Sequence, residues 1–277
     1  MDLNHVPPDY VNCKLYIFKE NYSFNMEVHK HPHHVTHPKK WFEYFLEFFM
    51  LFLAVFLGFL AENIRENFVE KERVRDYAQS LYDDLKVDTA IIQRTYAEKD
   101  WIKPKYDSAE AILFSTDLKK YNELIYYVER YINLNDIFTA QDVTYQQLKS
   151  SGNFRYIKNI SLYKNIANYY TLYSRYQYVD GNFSGGSSEM SEIESKIFDL
   201  KYLTSLNNHN GKNFYSLILR PDKKLEPLIN DKQSLKILYL KFDNAKNRVI
   251  GAKIFLLWLK SNATNLLSEL NSEYHLK

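Results

Sequence analysis

The stretch WFEYFLEFFMLFLAVFLGFLAENIRE, residues Trp41–Glu66, decides how the rest of the chain is organised. Placing successive residues about 100° apart on a helix separates two faces. One stripe holds residues spaced alternately four and three apart: Glu47, Leu51, Ala54, Gly58, Ala61 and Arg65. The opposite side holds large aromatic residues: Phe45, Phe48, Phe49, Phe52, Phe56 and Phe59. Phenylalanine suits lipid, and small residues let another helix approach closely. The pattern therefore predicts a transmembrane helix over residues 41–61, with a helix-packing face formed by Ala54, Gly58 and Ala61.

The length of this segment bears on the role of Glu47. The uncharged run Phe48–Ala61 has 14 residues, which span about 21 Å of a hydrocarbon core about 30 Å thick. Starting the span at Trp41 makes it long enough but brings Glu43 and Glu47 to the membrane boundary or inside it. Two interpretations of Glu47 stay open. It lies at the interface and pairs with a neighbour, or it faces inward in an oligomer and carries protons or ions. A buried helix of a soluble protein is the competing interpretation of the whole segment.

Composition favours an all-α fold. The 277 residues include only 7 glycines and 7 prolines, whereas strand-and-turn architectures and glycine-rich phosphate loops use more glycine than this. The net charge of +2 is small for a chain that is 25% charged. No strong field attracts nucleic acid, and we expect no nucleic-acid partner. Cys13 is the only cysteine, so a disulfide or a multi-cysteine metal site within one chain is excluded.

Residues 1–40 are predicted to form a disordered N-terminal tail that is rich in histidine. Five of the eight histidines lie close together: His29, His31, His33, His34 and His37. Clustered imidazoles can bind zinc, copper or nickel. The alternative is a pH-sensitive basic tail beside anionic lipid headgroups. Met26 is a candidate alternative start of the chain.

Residues 62–277 are predicted to form a helical stalk and a soluble helical bundle. After Glu62 the pattern stays helical to about Lys99, and a seam at 3–4 spacing holds Val74, Ala78, Leu81, Leu85, Asp88 and Ile92. The transmembrane helix is therefore expected to continue into the stalk. Asp84 and Asp88 are one turn apart. Such a pair can hold a metal or share a proton, or its members accept hydrogen bonds from a neighbouring helix end.

Beyond the stalk, the boundaries are predicted from breakers and caps. Pro104 is expected to end the stalk helix, followed by helical pieces at about 106–114 and 117–133. Residues 181–188, GNFSGGSS, are predicted to be a flexible linker. A helix at about 189–206 and a long final helix at about 232–273 follow, the latter containing the apolar core run VIGAKIFLLWL.

The sharpest motif of the soluble part is TAQDVTYQQLKSSGNFRYIKNISLYKNIANYY, Thr139–Tyr170. Thr144 followed by Gln147 is typical of a capping box that begins a short helix. Gly152 suits the left-handed position that ends it. The motif therefore predicts a helix, a tight turn and a second helix.

Two patterns occur together in this chain. An L-x-x-D-L-x-x-D pattern is formed by Leu81, Asp84, Leu85 and Asp88. A later T-[WY]-x-x-L-x-x-S-G-N element and a Y-Y helix end are formed by Thr144, Tyr145, Leu148, Ser151, Gly152, Asn153, Tyr169 and Tyr170. In these patterns the chain resembles a family of single-pass membrane proteins of unknown function from Bacteroidota. The resemblance covers residues 26–178 and, more loosely, the C-terminal helix, and it supports Met26 as the start. It implies an N-terminal anchor and a helical soluble part, and it implies no activity.

No nucleophile motif, P-loop, dinucleotide fingerprint or metalloprotease helix occurs in the sequence. We therefore predict a membrane-anchored interaction or scaffold protein that is not an enzyme and has no cofactor. Its expected partners are the lipid bilayer and either a second copy or another membrane protein. The alternative is a small oligomeric channel or proton-coupled component that uses Glu47.

Orientation in the inner membrane is predicted from basic residues that flank the anchor. Lys30, Lys39 and Lys40 precede it, and Arg65, Lys71, Arg73 and Arg75 follow it. The lysines lie closer to the membrane, which favours a cytoplasmic N-terminus and a periplasmic bundle.

Overall fold

The structure, a computed structural model, describes residues 40–115, 122–132, 134, 137–181, 188–221 and 231–276. The predicted tail, its five histidines and most of the predicted linker lie outside the described residues. Internal contacts divide the chain into two units, Met1–Phe59 and Leu60–Lys277.

The fold is all-α, as predicted. The described residues form seven α-helices: α1 (Trp41–Leu113), α2 (Asn122–Ile132), α3 (Val143–Ser150), α4 (Ile160–Gly181), α5 (Ser188–Ile197), α6 (Leu200–Ser205) and α7 (Lys232–Tyr274). Two short 3-10 helices, Asn153–Tyr156 and Phe214–Ser216, complete the regular structure of this part. Within it, the only extended pairing is an isolated antiparallel bridge between Asn207 and Ile218.

Helix α1 buries one seam that begins at Val74. The predicted positions from Val74 to Ile92 are all buried, which confirms that seam. The same alternating spacing continues through Thr95, Lys99, Ile102, Tyr106, Ala109 and Leu113. Alternation of three and four residues keeps one face of a helix against its neighbours, so a single stripe fixes the whole second half of α1.

The prediction that Pro104 ends this helix is wrong, because α1 continues to Leu113. A proline inside a helix removes the hydrogen bond to the carbonyl of residue i−4, at a cost of about 3 kcal/mol. Pro104 and Asp100, whose carbonyl loses that bond, both lie on the exposed side of α1. Water can therefore satisfy the carbonyl, while Ile102 and Tyr106 hold the helix in the core on either side of the proline.

Two hydrophobic clusters form the core of the second unit. The first cluster joins α1 from Val74 to Ile92 with α3, α4 and the second half of α7. The second cluster joins α1 from Ile102 to Leu113 with α2, the 197–218 segment and the first half of α7. Helix α7 thus contributes to both clusters.

Helix α7 runs antiparallel to α1 and to α4. Along α1, Glu110 contacts Lys246, Asp100 contacts Lys253, and Arg75 donates to the His275 carbonyl. The residue numbers of α7 therefore decrease in the direction in which those of α1 increase. The run VIGAKIFLLWL was predicted to be core, and this holds for one face only. Val249, Ala252, Leu256 and Leu259 are buried, whereas Ile250, Ile254, Leu257 and Trp258 are exposed.

Two further boundaries differ from the predictions. The predicted helix at 117–133 is observed as α2, Asn122–Ile132, with residues 117–121 outside the described part. The predicted helix at 189–206 is observed as α5 and α6, because Asp199 adopts an extended conformation and its side chain caps α6 by accepting from the Tyr202 amide. An N-cap of this kind begins a new helix and so ends the previous one.

In the first unit, the described part of α1 exposes its apolar side chains. Phe48, Phe52 and Phe56 stack along one face, with ring centres 6.4 and 6.1 Å apart. Helix α1 contains an 18-residue window of mean hydropathy 2.2, none of which is buried. Among the described helices, α1 alone is long and apolar enough to cross a membrane.

Candidate functional site

The acidic pair of α1 lies where α1, α3 and α4 meet, and we call this place the acidic junction. It consists of Asp84, Asp88, Gln141, Thr144 and Tyr169. Asp88 is fully buried. Its Oδ1 atom accepts a hydrogen bond from the backbone amide of Gln141 at 2.8 Å, and its Oδ2 atom accepts from the Tyr169 hydroxyl at 2.7 Å. Asp88 thereby connects α1 by hydrogen bonds to the segment before α3 and to the middle of α4.

Asp84 is bound one turn earlier by Thr144, whose hydroxyl donates to Asp84 Oδ2 at 2.6 Å. This contact corrects the predicted capping box. Helix α3 begins at Val143 with Asp142 at its N-cap position, and the Asp142 side chain makes no capping hydrogen bond. Thr144 lies inside the helix, and its hydroxyl faces α1, where it donates to the partly buried Asp84 carboxylate.

The pKa values of the junction follow from its burial. Burial raises the pKa of Asp88 to about 6, while the donors Gln141 and Tyr169 oppose that rise. Burial raises the pKa of Asp84 as well, and the Thr144 hydroxyl opposes it. Burial and the neighbouring Asp88 carboxylate raise the pKa of Tyr169, which keeps its hydroxyl protonated as a donor. The junction can therefore take up a proton in mildly acidic conditions.

The turn after α3 is tied to α1 too. Gly152 has a φ of +68°, the left-handed conformation that the sequence predicted. The next residue, Asn153, donates from its side-chain amide to the Tyr77 hydroxyl at 3.0 Å. Both ends of α3 are thus attached to α1, at Tyr77 and at the acidic junction.

A polar cavity of about 280 Å³ lies beside the junction, between α3 and α4. Tyr145 and Tyr170 line it and stack with ring centres 4.0 Å apart. The Tyr170 hydroxyl donates to the Gln141 carbonyl at 3.1 Å. Residues of the L-x-x-D-L-x-x-D pattern and of the T-Y-x-x-L-x-x-S-G-N element therefore lie close together, where they connect α1, α3 and α4.

The carboxylates of the junction are engaged by uncharged donors. No ion pair of Asp84 or Asp88 is present among the described residues. In the same part of the chain, no group of three or more histidine, cysteine, aspartate or glutamate side chains is arranged to hold a metal ion. What the geometry provides is a hydrogen-bonded attachment of α3 and α4 to α1.

A second buried polar group lies where the two hydrophobic clusters meet. The Lys99 ammonium lies 2.9 Å from Asp180, which is fully buried. The Tyr176 hydroxyl donates to Asp180 at 2.7 Å and accepts from the Phe138 amide at 3.0 Å. These contacts join α1, α4 and the segment before α3.

The second cluster contains a buried ion pair of a different kind. The Lys241 ammonium contacts the carboxylates of Glu129 and Glu194, which come from α2 and α5. Glu129 is fully buried, and this burial raises its pKa to about 7. The Lys241 ammonium opposes this rise in the pKa of Glu129, and the neighbouring Glu194 carboxylate adds to it.

The sequence did not predict these two ion-paired groups. For Lys99 a signal was present, because extending the 3–4 seam beyond Ile92 places Thr95 and Lys99 at core positions. For Lys241, Glu129 and Glu194 no local signal exists, because the three residues lie on separate helices. Asp88 was predicted as a seam position and Tyr169 was recognised as part of the Y-Y helix end, but only the tertiary structure shows their hydrogen bond.

The membrane-related residues lie on the first part of α1. Glu47, Ala54, Gly58 and Ala61 are all exposed. A Cβ atom added to Gly58 would meet no atom within 4 Å. The predicted packing face thus has no partner within the described part of the chain.

Comparison of the chain with protein-family models, with curated proteins and with solved structures finds no match.

Proposed function

We propose that the chain is a single-pass membrane protein of the inner membrane whose helical bundle binds a partner protein. The observation that carries this proposal is the exposed apolar segment of α1. None of the residues in its continuous 18-residue apolar window is buried. Soluble monomers rarely expose contiguous apolar surface of that extent. Lipid is the environment that suits it, and residues 41–61 are long enough to cross a bilayer.

Self-association through the small-residue face is the second part of the proposal. Ala54, Gly58 and Ala61 are exposed on one stripe, whereas the phenylalanines occupy the opposite side. Without a hydrophobic force between helices in lipid, close contact through small residues is what favours association. We therefore place a second helix, from another copy or from another membrane protein, against this stripe.

A binding role for the bundle is supported by the contacts of its buried and partly buried acids. Asp84 and Asp88 receive hydrogen bonds from α3 and α4, and Glu129 contacts Lys241. These groups hold helices in place, and holding a surface rigid is what a partner-binding bundle requires.

The packing face is tested with Gly58→Leu and a matched control on the opposite side, Phe56→Leu. Both variants end with the same side chain in the same segment. Gly58→Leu is expected to dissociate the oligomer, and Phe56→Leu is expected to keep it, as measured by light scattering of the detergent-solubilised full chain. An unchanged oligomer in Gly58→Leu would exclude this face as the contact.

Membrane insertion and orientation are tested by cysteine labelling in intact cells. With Cys13 replaced by serine, a single cysteine is introduced at the exposed residue Lys260. A membrane-impermeant maleimide is expected to label it without cell lysis if the bundle is periplasmic. Labelling only after lysis reverses the orientation, and release of the protein from membranes by alkaline carbonate excludes a transmembrane anchor.

The channel alternative makes a separate prediction for Glu47. If Glu47 carries protons or ions, Glu47→Gln abolishes conductance of the protein in liposomes. In the interaction proposal the same substitution leaves the oligomer and its co-purifying partner unchanged.

A further inference from the structure

A cavity of about 500 Å³ lies between α1, the start of α2 and the segment that ends at Pro221. Two basic residues, Lys105 and Arg220, line it together with the acidic residue Glu123. The remaining lining residues are apolar or aromatic: Trp101, Leu124, Tyr127 and Pro221. All of these lining residues lie in the second unit, and none lies in the apolar segment of α1.

Lys105 is held in a defined position at this cavity. Its ammonium lies 3.3 Å from the centre of the Trp101 ring and donates to the Trp101 carbonyl at 2.9 Å. Trp101 is itself fixed by edge contacts with Tyr131 and Tyr215, both with ring centres 5.2 Å away. The cation is therefore positioned in advance, which reduces the entropy lost when a ligand binds.

Lys105 also differs from every other partly covered lysine in the described part of the chain. Five such lysines contact carboxylates: Lys99, Lys103, Lys241, Lys246 and Lys253. Lys105 is half-buried and has no ion pair among the described residues. Burial without a counter-ion lowers the pKa of Lys105, because water no longer fully solvates the charge. An anion bound in the cavity would stabilise the Lys105 ammonium in place of the water that burial excludes.

The charge and size of the cavity restrict the ligand further. Lys105 and Arg220 against Glu123 leave one excess positive charge on the wall, which suits a single carboxylate better than a phosphate dianion. Leu124, Tyr127 and Pro221 offer apolar surface beside the cations. The volume is in the range of small-molecule sites, about 300–1,000 Å³.

We propose that this cavity binds a small organic carboxylate with an apolar body. Lys105 and Arg220 hold the carboxylate oxygens, and Leu124, Tyr127 and Pro221 contact the apolar body. Glu123 repels a second negative charge and so selects monoanions.

The test uses the full chain in detergent and the probe 4-(trifluoromethyl)phenylacetate, followed by fluorine NMR. The wild-type chain is expected to broaden the probe signal in a saturable way. Lys105→Gln and Arg220→Gln each remove a charge-assisted contact and are expected to weaken binding about tenfold. Lys260→Gln, which removes an exposed cation of α7, is the matched control and should bind like the wild type. Partition of the probe into detergent is the same for all four proteins, so it cancels in the comparison.

The neutral amide of the same probe tests the role of charge. It is expected to bind at least about tenfold more weakly than the acid, because it cannot pair with Lys105 or Arg220. Equal binding of acid and amide, equal binding by all four proteins, or no saturable binding by the wild type would each overturn the proposal. Far-UV circular dichroism of Lys105→Gln and Arg220→Gln confirms that a loss of binding is not a loss of fold.

Discussion

In the first cluster, Asp88 of α1 is bound by uncharged donors, the Gln141 amide and the Tyr169 hydroxyl. In the second cluster, Glu129 of α2 shares the buried ammonium of Lys241 with Glu194. Both carboxyl groups are fully buried. Each cluster thus contains a buried acid. Uncharged hydrogen-bond donors stabilise it in the first cluster, and a countercharge stabilises it in the second.

This difference determines how the stability of each cluster responds to substitution and to pH. Burial favours the protonated form of Asp88, and the hydrogen bonds from Gln141 and Tyr169 to the carboxylate only partly offset this effect. A buried countercharge instead needs its partner, because an ammonium or a carboxylate left alone in the core is costly. We therefore expect the second cluster to be the more sensitive to substitution, whereas the contributions of both Asp88 and Glu129 to stability depend on pH.

The largest effect is expected from Lys241→Met. Removing the ammonium leaves Glu129 and Glu194 without a countercharge, and breaking a buried pair in this way costs about 3–5 kcal/mol. Denaturant unfolding of the full chain, followed by circular dichroism, measures this loss. Lys236→Met, an exposed position on the same helix, is the control. A cost no larger than that of the control would show that the ion pair contributes nothing.

The next largest effect is expected from Asp88→Ala. The substitution leaves the Gln141 amide and the Tyr169 hydroxyl without an acceptor, at a cost of about 3 kcal/mol. Asp83→Ala, at the exposed neighbouring acid, should cost less than about 0.5 kcal/mol. The same unfolding measurement applies. If both alanine variants are equally stable, the acidic junction does not hold the first cluster together.

The pH dependence of stability separates the junction from the rest of the chain. The pKa of Asp88 is about 6 in the folded state and about 3.9 when unfolded. Between these values the folded state binds more protons, so the contribution of Asp88 to stability is greatest at about pH 4 and falls as the pH rises to about 6. The expected change is on the order of 2 kcal/mol.

Asp88→Asn isolates this contribution, because the amide does not titrate. The stability difference between wild type and Asp88→Asn should change between pH 4 and pH 6 and then stay constant. The same measurement on Glu129→Gln controls for Glu129, whose pKa of about 7 gives a trend that extends to higher pH. Parallel curves for wild type and Asp88→Asn would contradict the raised pKa of Asp88.

The smallest effect is expected from Thr144→Val. The substitution keeps the shape of the side chain but removes the hydrogen bond to Asp84, at a cost of about 1 kcal/mol. Thr171→Val removes a hydroxyl that only bonds the carbonyl of its own helix, on an exposed face. A larger loss for Thr144→Val than for Thr171→Val, measured by thermal unfolding, would establish the contact between α3 and α1.

Spacing within one helix was enough to predict several features. The exposed apolar segment of α1, the seam from Val74 to Ile92 and the left-handed Gly152 each follow from residues within a few turns of one another. The predicted capping role of Thr144 failed for the opposite reason. As an N-cap, the Thr144 hydroxyl would accept from a backbone amide of its own helix. The helix instead begins at Val143, and the hydroxyl donates to Asp84 on α1.

By itself, the sequence determined the helical periodicity, the apolar segment over residues 41–61 and the buried seam of α1 from Val74 to Ile92, because each depends on residues close in the chain. The tertiary structure alone decided that α1 passes through Pro104, that Tyr169 and Gln141 bind Asp88, and that Lys241 lies between Glu129 and Glu194. It also decided that Lys105 borders a cavity and makes no ion pair among the described residues. These features join residues from separate helices, and only packing brings such groups within hydrogen-bonding distance.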